Sequence, residues 1–256
     1  MYPVEAREMT AEFFECWKAA LIHLDSMLKK RCSGHDISWQ RVHPNPPFQD
    51  HLSFRYLNQL FFVRVIDVAR KIEGPGSIQG LFRISDECKG HSCIMLMAKT
   101  SDGIWKPAQN HWGIIDARSG SSIDPADMVT NEKIEMTRWE TQDFAVQIVK
   151  RSLEEHGHKI LSWAGDPEIN PSIWYVGKSG KMEWVLVKHT KYPIKTAPRP
   201  DNWQSLLEQL SMPGTLGHFA SVSLVNAEQS FGPSDPIIPL WRGCGCYASY
   251  AGLDAV

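Results

Sequence analysis

Apolar residues recur every three or four positions across TAEFFECWKAALIHLDSMLKKRC, residues 10–32. Phe13, Phe14, Trp17, Leu21, Leu24 and Leu28 share one side of a helical wheel, so this stretch predicts an amphipathic helix. Thr10 suits its N-cap, and Lys29, Lys30 and Arg31 suit the negative end of its dipole. HPNPPFQDH, residues 43–51, then breaks regular structure with Pro44, Pro46 and Pro47. Beyond it the helical period disappears. LNQLFFVRVIDVARKIE (57–73) has a continuous β-branched and aromatic centre, which predicts a buried strand followed by a turn at GPGS. CIMLMAKTSDGIWKPA (93–108) reads as a hairpin closed at Ser101, Asp102 and Gly103, and HWGIIDARSGSSIDP (111–125) as one more short strand.

A second block opens at TRWETQDFAVQIVKRSLEEHGH (137–158), where Thr137 and Glu140 form a capping box. Phe144, Ile148, Val149 and Leu153 continue one apolar face until Gly157 ends the helix. KILSWAG, SIWYVGKSGK and MEWVLVKHT read as three strands, the last two joined by a turn at Lys178, Ser179 and Gly180. Asp201 is placed to cap NWQSLLEQL, whose Trp203, Leu206, Leu207 and Leu210 share a face. GHFASVSLVNA alternates as a strand, FGPSDPIIP is a loop, and LWRGCGCYASYAGL is a final strand or pair of strands. The expected class is α/β in the mixed α+β sense. Residues 1–135 form a helix and a β-rich block, and residues 136–256 form a second block ordered α-β-β-β-α-β with C-terminal strands.

Composition narrows this picture only a little. A chain of 256 residues with 43% hydrophobic and 22% charged content is ordinary for a globular protein. A net charge of −2 argues against a polybasic coat for nucleic acid or membrane. No apolar run approaches the roughly 18 residues of a membrane span, and no signal segment opens the chain. Six cysteines in that setting read as reduced thiols, so the expected location is cytoplasmic.

The order α-β-β-β-α-β across residues 137–226 resembles the restriction-endonuclease-like, PD-(D/E)XK, core. The resemblance implies a carboxylate at the head of the second strand, with a second carboxylate and a lysine two residues apart on the third. Side chains two apart in a strand point the same way, so such a pair would flank a magnesium ion and an attacking water. Here Lys188 takes the lysine position, Leu186 stands where the carboxylate would be, and Ser172 stands at the head of the second strand. Glu183, five residues before Lys188, falls on the opposite side of a regular strand. Asp166 and Glu168 lie in the preceding loop, and Glu154 or Glu155 stands for the helix glutamate of some members.

The resemblance with a degraded motif implies a non-catalytic component that binds nucleic acid or another protein, in a bacterial mobile-element, defence or secretion system. Trp184 and Lys188, with Lys191 and Tyr192 of KHTKYPIK, would be its contact residues. Two alternatives stand beside it. One is an active magnesium-dependent nuclease built from Asp166, Glu168, Glu154 and Lys188. The other is a structural or regulatory subunit whose tryptophans and C-terminal segment form an assembly surface, its oligomeric state open.

Other motifs carry less. CKGHSC (Cys88, His91, Cys93) and CGC (Cys244, Cys246), with Cys32 or His35, offer soft ligands for zinc, but the spacing fits no standard knuckle. Buried reduced thiols are the expectation there, and no cofactor is expected outside the nuclease reading. His111, Asp116, Ser119 and Ser121 lack the G-x-S-x-G turn of a hydrolase nucleophile. EGPGSIQG lacks the Lys-Ser/Thr of a phosphate loop and reads as a turn.

Overall fold

The structure is a computed structural model that describes residues 10–31, 37–40, 52–69, 72, 74, 77–210, 213–232 and 234–256. Cys32, His35 and the proline-rich stretch 43–51 lie outside the described residues. The fold is mixed α+β, and the chain divides into two compact units, Met1–Lys133 and Ile134–Val256. Ile134 already belongs to the second unit, because its carbonyl accepts the Arg242 N–H while Glu135 bridges to Trp241.

In the first unit, α1 (Ala11–Arg31) is capped by Thr10, whose Oγ1 accepts the Phe13 N–H at 3.1 Å. Its buried stripe is Phe13, Cys16, Ala20, Leu24 and Leu28. That stripe is rotated from the face marked by the large residues, and Phe14 is 50% exposed. Strands β1 (Ile37–Gln40), β2 (Leu52–Tyr56), β3 (Gln59–Asp67), β4 (His91–Lys99) and β5 (Trp105–Pro107) follow one another across a sheet. There β6 (Ile114–Asp116) pairs with β4. The hairpin at 101–103 forms as expected, with Gly103 at φ +80. Strands β3 and β4 run parallel, which requires a crossover. That crossover is α2 (Ile78–Glu87), a helix where the sequence suggested only a turn. Ser77 caps it by accepting the Gly80 N–H at 3.1 Å.

In the second unit, α3 (Arg138–Glu155) starts at the expected capping box and stops before Gly157, at φ +81. Three antiparallel strands follow: β7 (Lys159–Trp163), β8 (Ile173–Val176) and β9 (Met182–Lys191). Next come α4 (Trp203–Leu210) and β10 (Leu216–Asn226), which pairs parallel to β9. The first backbone bond of α4 runs from the Leu206 N–H to the Asn202 carbonyl, so Asn202 rather than Asp201 opens the helix. On the far side of β10 the chain adds two short pieces, β11 (Cys246–Tyr250) and β12 (Asp254–Ala255), staggered along the same edge. At the opposite edge β7 is interrupted by a register shift between Ile160 and Ser162.

Alternation sorts this sheet into two buried faces. Val185 and Val187 of β9, with Ala220, Val222 and Leu224 of β10, meet Ala145, Val146, Val149 and Leu153 of α3. Trp184, Leu186 and Phe219 point the other way and meet Leu206 of α4. Burial on both sides explains why β9 reads as an almost unbroken apolar run up to Lys188.

Candidate functional site

The polar groups of the second unit gather where the N-terminal turn of α3 meets the end of β9. The turn is fixed first. Thr137 N–H donates to Glu140 Oε2 at 2.9 Å, and Glu140 N–H donates to Thr137 Oγ1 at 3.3 Å. Glu140 then receives both Nε and Nη2 of Arg242, at 2.7 and 2.8 Å, with both side chains buried. This paired contact holds the C-terminal segment on the start of α3.

The next turn faces β9. Gln142 Nε2 donates to the Val187 carbonyl at 2.9 Å, and its Oε1 lies 2.8 Å from His189 Nδ1. An amide oxygen only accepts, so Nδ1 carries the imidazole proton. Nε2 lies 2.9 Å from the Thr141 hydroxyl oxygen, which is also within reach of the Thr137 and Arg138 carbonyls. The surroundings favour a neutral ring. Burial, then the charges of Lys191, Arg138 and Lys188, push His189 down to about 4.

The loop before β8 completes the cluster. Asp166 is 0% exposed; its Oδ1 accepts the Glu168 N–H at 2.7 Å, and its Oδ2 is buried without a hydrogen-bond partner. Burial raises this carboxyl from 3.8 to about 6. Lys188 Nζ lies 3.4 Å from the Pro167 carbonyl oxygen and 3.5 Å from Asn170 Oδ1. Burial, then Arg138, lowers the lysine from its ordinary value. Arg138 in turn reaches Glu168 at 3.3 Å. Asp166, Glu168 and Lys188 therefore come together, joined by Arg138, Gln142, His189 and Asn170, which the sequence reading did not single out.

Other candidates go elsewhere. Glu154 bonds Lys150 at 2.7 Å, sixteen residues beyond Arg138 on the same helix. At 1.5 Å per residue that is about 24 Å from the cluster, so it cannot serve as the helix carboxylate. Glu155 is likewise held by Arg151 at 2.9 Å. Trp184 is core beneath α4 and offers no contact surface. Lys191 pairs with Glu135 at 2.8 Å, and Tyr192 packs edge-on against Phe231 at 5.4 Å. Together they line a separate cavity of about 150 Å³ with Asn226 and Pro239.

Glu183 does face away from Lys188. Its Oε2 accepts the Tyr175 hydroxyl at 2.6 Å and His218 Nε2 at 2.8 Å. Burial alone would raise this carboxyl, but those two bonds hold it below the usual range.

The cysteines are bound locally. Burial, reinforced by the charge of Asp116, pushes the Cys93 thiol well up, and its Sγ sits 3.7 Å from the His91 carbonyl. His91 Nε2 is engaged by Gln59 Oε1 at 2.8 Å. Cys244 lies in the turn before β11 and only Cys246 in the strand, so the two do not share a strand face as expected. Among the described residues no group of three or more His, Cys, Asp or Glu is placed to hold a metal ion.

Residues 139–256 match a family described as a domain of unknown function, DUF8840. The match begins in the first turn of α3 and runs to the end of the second unit. Neither the curated proteins nor the solved structures contain a match to the chain. No helix among the described residues is long and apolar enough to cross a membrane.

A buried carboxylate with an unmatched oxygen is a stability cost that titrates. The folded state binds the Asp166 proton more tightly than the unfolded chain does, since the value rises from 3.8 to about 6. The penalty therefore develops as pH climbs above the unfolded value and is complete above the folded one. Asp166→Asn keeps an acceptor for the Glu168 N–H and removes the charge. It is expected to stabilise the protein by about 1–3 kcal/mol at neutral pH and to be close to neutral near pH 4. Urea unfolding at both pH values checks this; an equal effect at the two would show that the carboxylate charge is not the cause.

Proposed function

We propose that residues 134–256 form a catalytically silent, restriction-endonuclease-like unit that works by binding a nucleic acid or protein partner, as components of bacterial defence, mobile-element or secretion systems do. One observation carries this reading. The two positions at which the resemblance asks for metal-binding carboxylates are occupied and closed. Ser172 is 1% exposed and its Oγ accepts the Val187 N–H, while Leu186 is 0% exposed and packed beneath α4. Of that motif only Lys188 remains, and it reaches back to the loop.

The rival reading, a magnesium-dependent nuclease with migrated acids, draws on the unmatched Oδ2 of Asp166. The donor set does not fit that ion as it stands: Asp166 offers one sealed oxygen and Glu168 is held by Arg138.

The test is a cleavage assay on single- and double-stranded DNA and RNA with Mg²⁺ or Mn²⁺, run beside fluorescence anisotropy with the same oligonucleotides. The expected outcome is no cleavage above that of Lys188→Ala. Binding weakened by Arg138→Ala or Lys188→Ala would identify nucleic acid as the partner, and no binding would leave a protein partner. Cleavage abolished by both Asp166→Ala and Lys188→Ala would replace this reading with the nuclease.

A further inference from the structure

The two units are built to one plan. Each runs α-β-β-β-α-β and then adds two short strands. In each sheet the first three strands pair antiparallel and the third pairs parallel to the fourth. The fourth then pairs antiparallel with both of the last two. Each unit also has a cavity at the carboxyl end of its third strand, the end of a parallel strand at which open α/β sheets receive ligands. In the first unit it measures about 270 Å³ and is lined by Arg64, Val65, Ile66 and Asp67 of β3. In the second it is the cavity of about 150 Å³ beyond Lys191 and Asn226, the last residues of β9 and β10.

Two buried amides fix a wall of this second cavity. Asn226, 1% exposed, donates Nδ2 to the Pro239 carbonyl at 2.7 Å. Gln229, 7% exposed, donates Nε2 to the Pro236 carbonyl at 3.1 Å and accepts the Ile238 N–H at 2.7 Å. The space is therefore organised before any occupant arrives, which lowers the cost of filling it. Its lining is largely apolar, with Leu224, Val225, Ile238 and Leu240 among it. Ile237 of the lining is 56% exposed, and Phe231, which packs on Tyr192, is 66% exposed. Large apolar side chains gathered at the mouth of one cavity mark a contact site rather than ordinary surface scatter.

Charge selects the partner. The lining and the loop 228–240 carry Glu135, Glu228, Asp235 and Lys191, three acids against one base. Glu228 stands beside the cavity, since its N–H donates to Asn226 Oδ1 at 2.9 Å. Phosphates would meet like charge there, whereas a basic side chain would meet its complement. An apolar cavity of about this volume takes a group the size of a benzene ring. Resting on the reading of this unit as a binding module, we propose that the cavity seats one apolar side chain of a protein partner, with a lysine or arginine next to it in that partner facing the acids of the rim.

The probes are three capped dipeptides, acetyl-Phe-Arg-amide, acetyl-Phe-Glu-amide and acetyl-Ala-Arg-amide, titrated into the ¹⁵N-labelled full-length chain to about 10 mM and followed by NMR. Phe-Arg should move the amide signals of Val225 and Ile238 and bind about threefold more tightly than Phe-Glu, the scale of one exposed charge pair. Ala-Arg should leave those signals in place. Replacing the acids, as Glu135→Gln/Glu228→Gln, should erase the preference for arginine. Val225→Phe fills the cavity and should abolish the shifts. Should that variant fail to fold, Ile237→Ser at an exposed position should weaken Phe-Arg by about threefold or more. Three outcomes would overturn the proposal: no shift with Phe-Arg, equal shifts with Ala-Arg, or displacement of Phe-Arg by a ten-nucleotide oligo-dT. The cleavage assay above is read separately. Cleavage removes the binding-module reading whatever the peptides do, and silent peptides without cleavage remove this site alone.

Discussion

Arg242→Ala is expected to destabilise the second unit by about 3–5 kcal/mol, the range for breaking a buried ion pair from one side. The guanidinium meets Glu140 through two bonds, at 2.7 and 2.8 Å, and neither side chain is accessible to water. Removing the arginine leaves Glu140 ionised in a buried place with only its cap bonds to Thr137. The loss should concentrate at the start of α3 and in the segment before β11, since Arg242 joins residues 102 apart in sequence. Hydrogen exchange of the intact chain would show faster exchange at Ala145, Val146 and Val149. The double replacement Glu140→Gln/Arg242→Met retains a cap acceptor and removes both charges, so it should cost clearly less than Arg242→Ala. If Arg242→Ala changes stability by under about 1 kcal/mol, the pair is not the clamp that its burial suggests.

Leu186→Asp would write the missing carboxylate back into the position two residues before Lys188, and it is expected to unfold the strand pair rather than create an active site. Leu186 lies against Trp184, Leu206 and Phe219 in a closed layer. The change forfeits the burial of a leucine and places an unpaired carboxylate among aromatic rings, together roughly 4 kcal/mol or more. Leu186→Met, which conserves volume, should cost under about 1.5 kcal/mol. Urea midpoints for the two variants, with the cleavage assay on each, decide the matter. Manganese-dependent cleavage by a folded Leu186→Asp would mean that the sheet still holds a latent catalytic geometry and that burial at this position is easily relieved.

The parts of this fold that were readable from sequence are those whose signals are local. Thr137 and Glu140 find each other within one turn, and Gly103, Gly157 and Gly180 sit at positive φ where the turns were expected. The face of α1 was read from its large side chains, and Phe13, Leu24 and Leu28 are buried as read; Cys16 and Ala20 complete the stripe in place of Phe14, Trp17 and Leu21, because small residues let the helix approach the sheet closely. The helix α2 was hidden by the neighbouring glycines and proline, which mark a turn more loudly than Ser77 marks a cap. Strand β2 was missed because its turn into β3 places Leu57 at φ +49, where glycine or asparagine would have announced a hairpin.

The site divides in the same way. Asp166, Glu168 and Lys188 could be named because an order of elements proposes where such residues lie. Gln142 and His189 could not, because their meaning is in bonds across 45 and 47 residues that no short-range pattern encodes. A weak signal did exist. Glu140, Thr141, Gln142 and Asp143 put four consecutive polar residues at the head of a helix, and all four are buried. Interior polar groups must be matched, so a buried run of this kind marks partners arriving from elsewhere in the fold.

The broken borders of the second sheet limit how this unit can meet another chain. An incoming extended segment needs a straight row of free backbone donors and acceptors several residues long. One border instead offers two staggered pieces, paired at Val222–Asn226 and at His218–Phe219, with residues 251–253 between them outside any strand. The other offers five residues whose register slips in the middle. Neither can template a continuous new strand, so the unit is guarded against self-polymerisation through its backbone. Whatever associates with it must be recognised by side chains and loops.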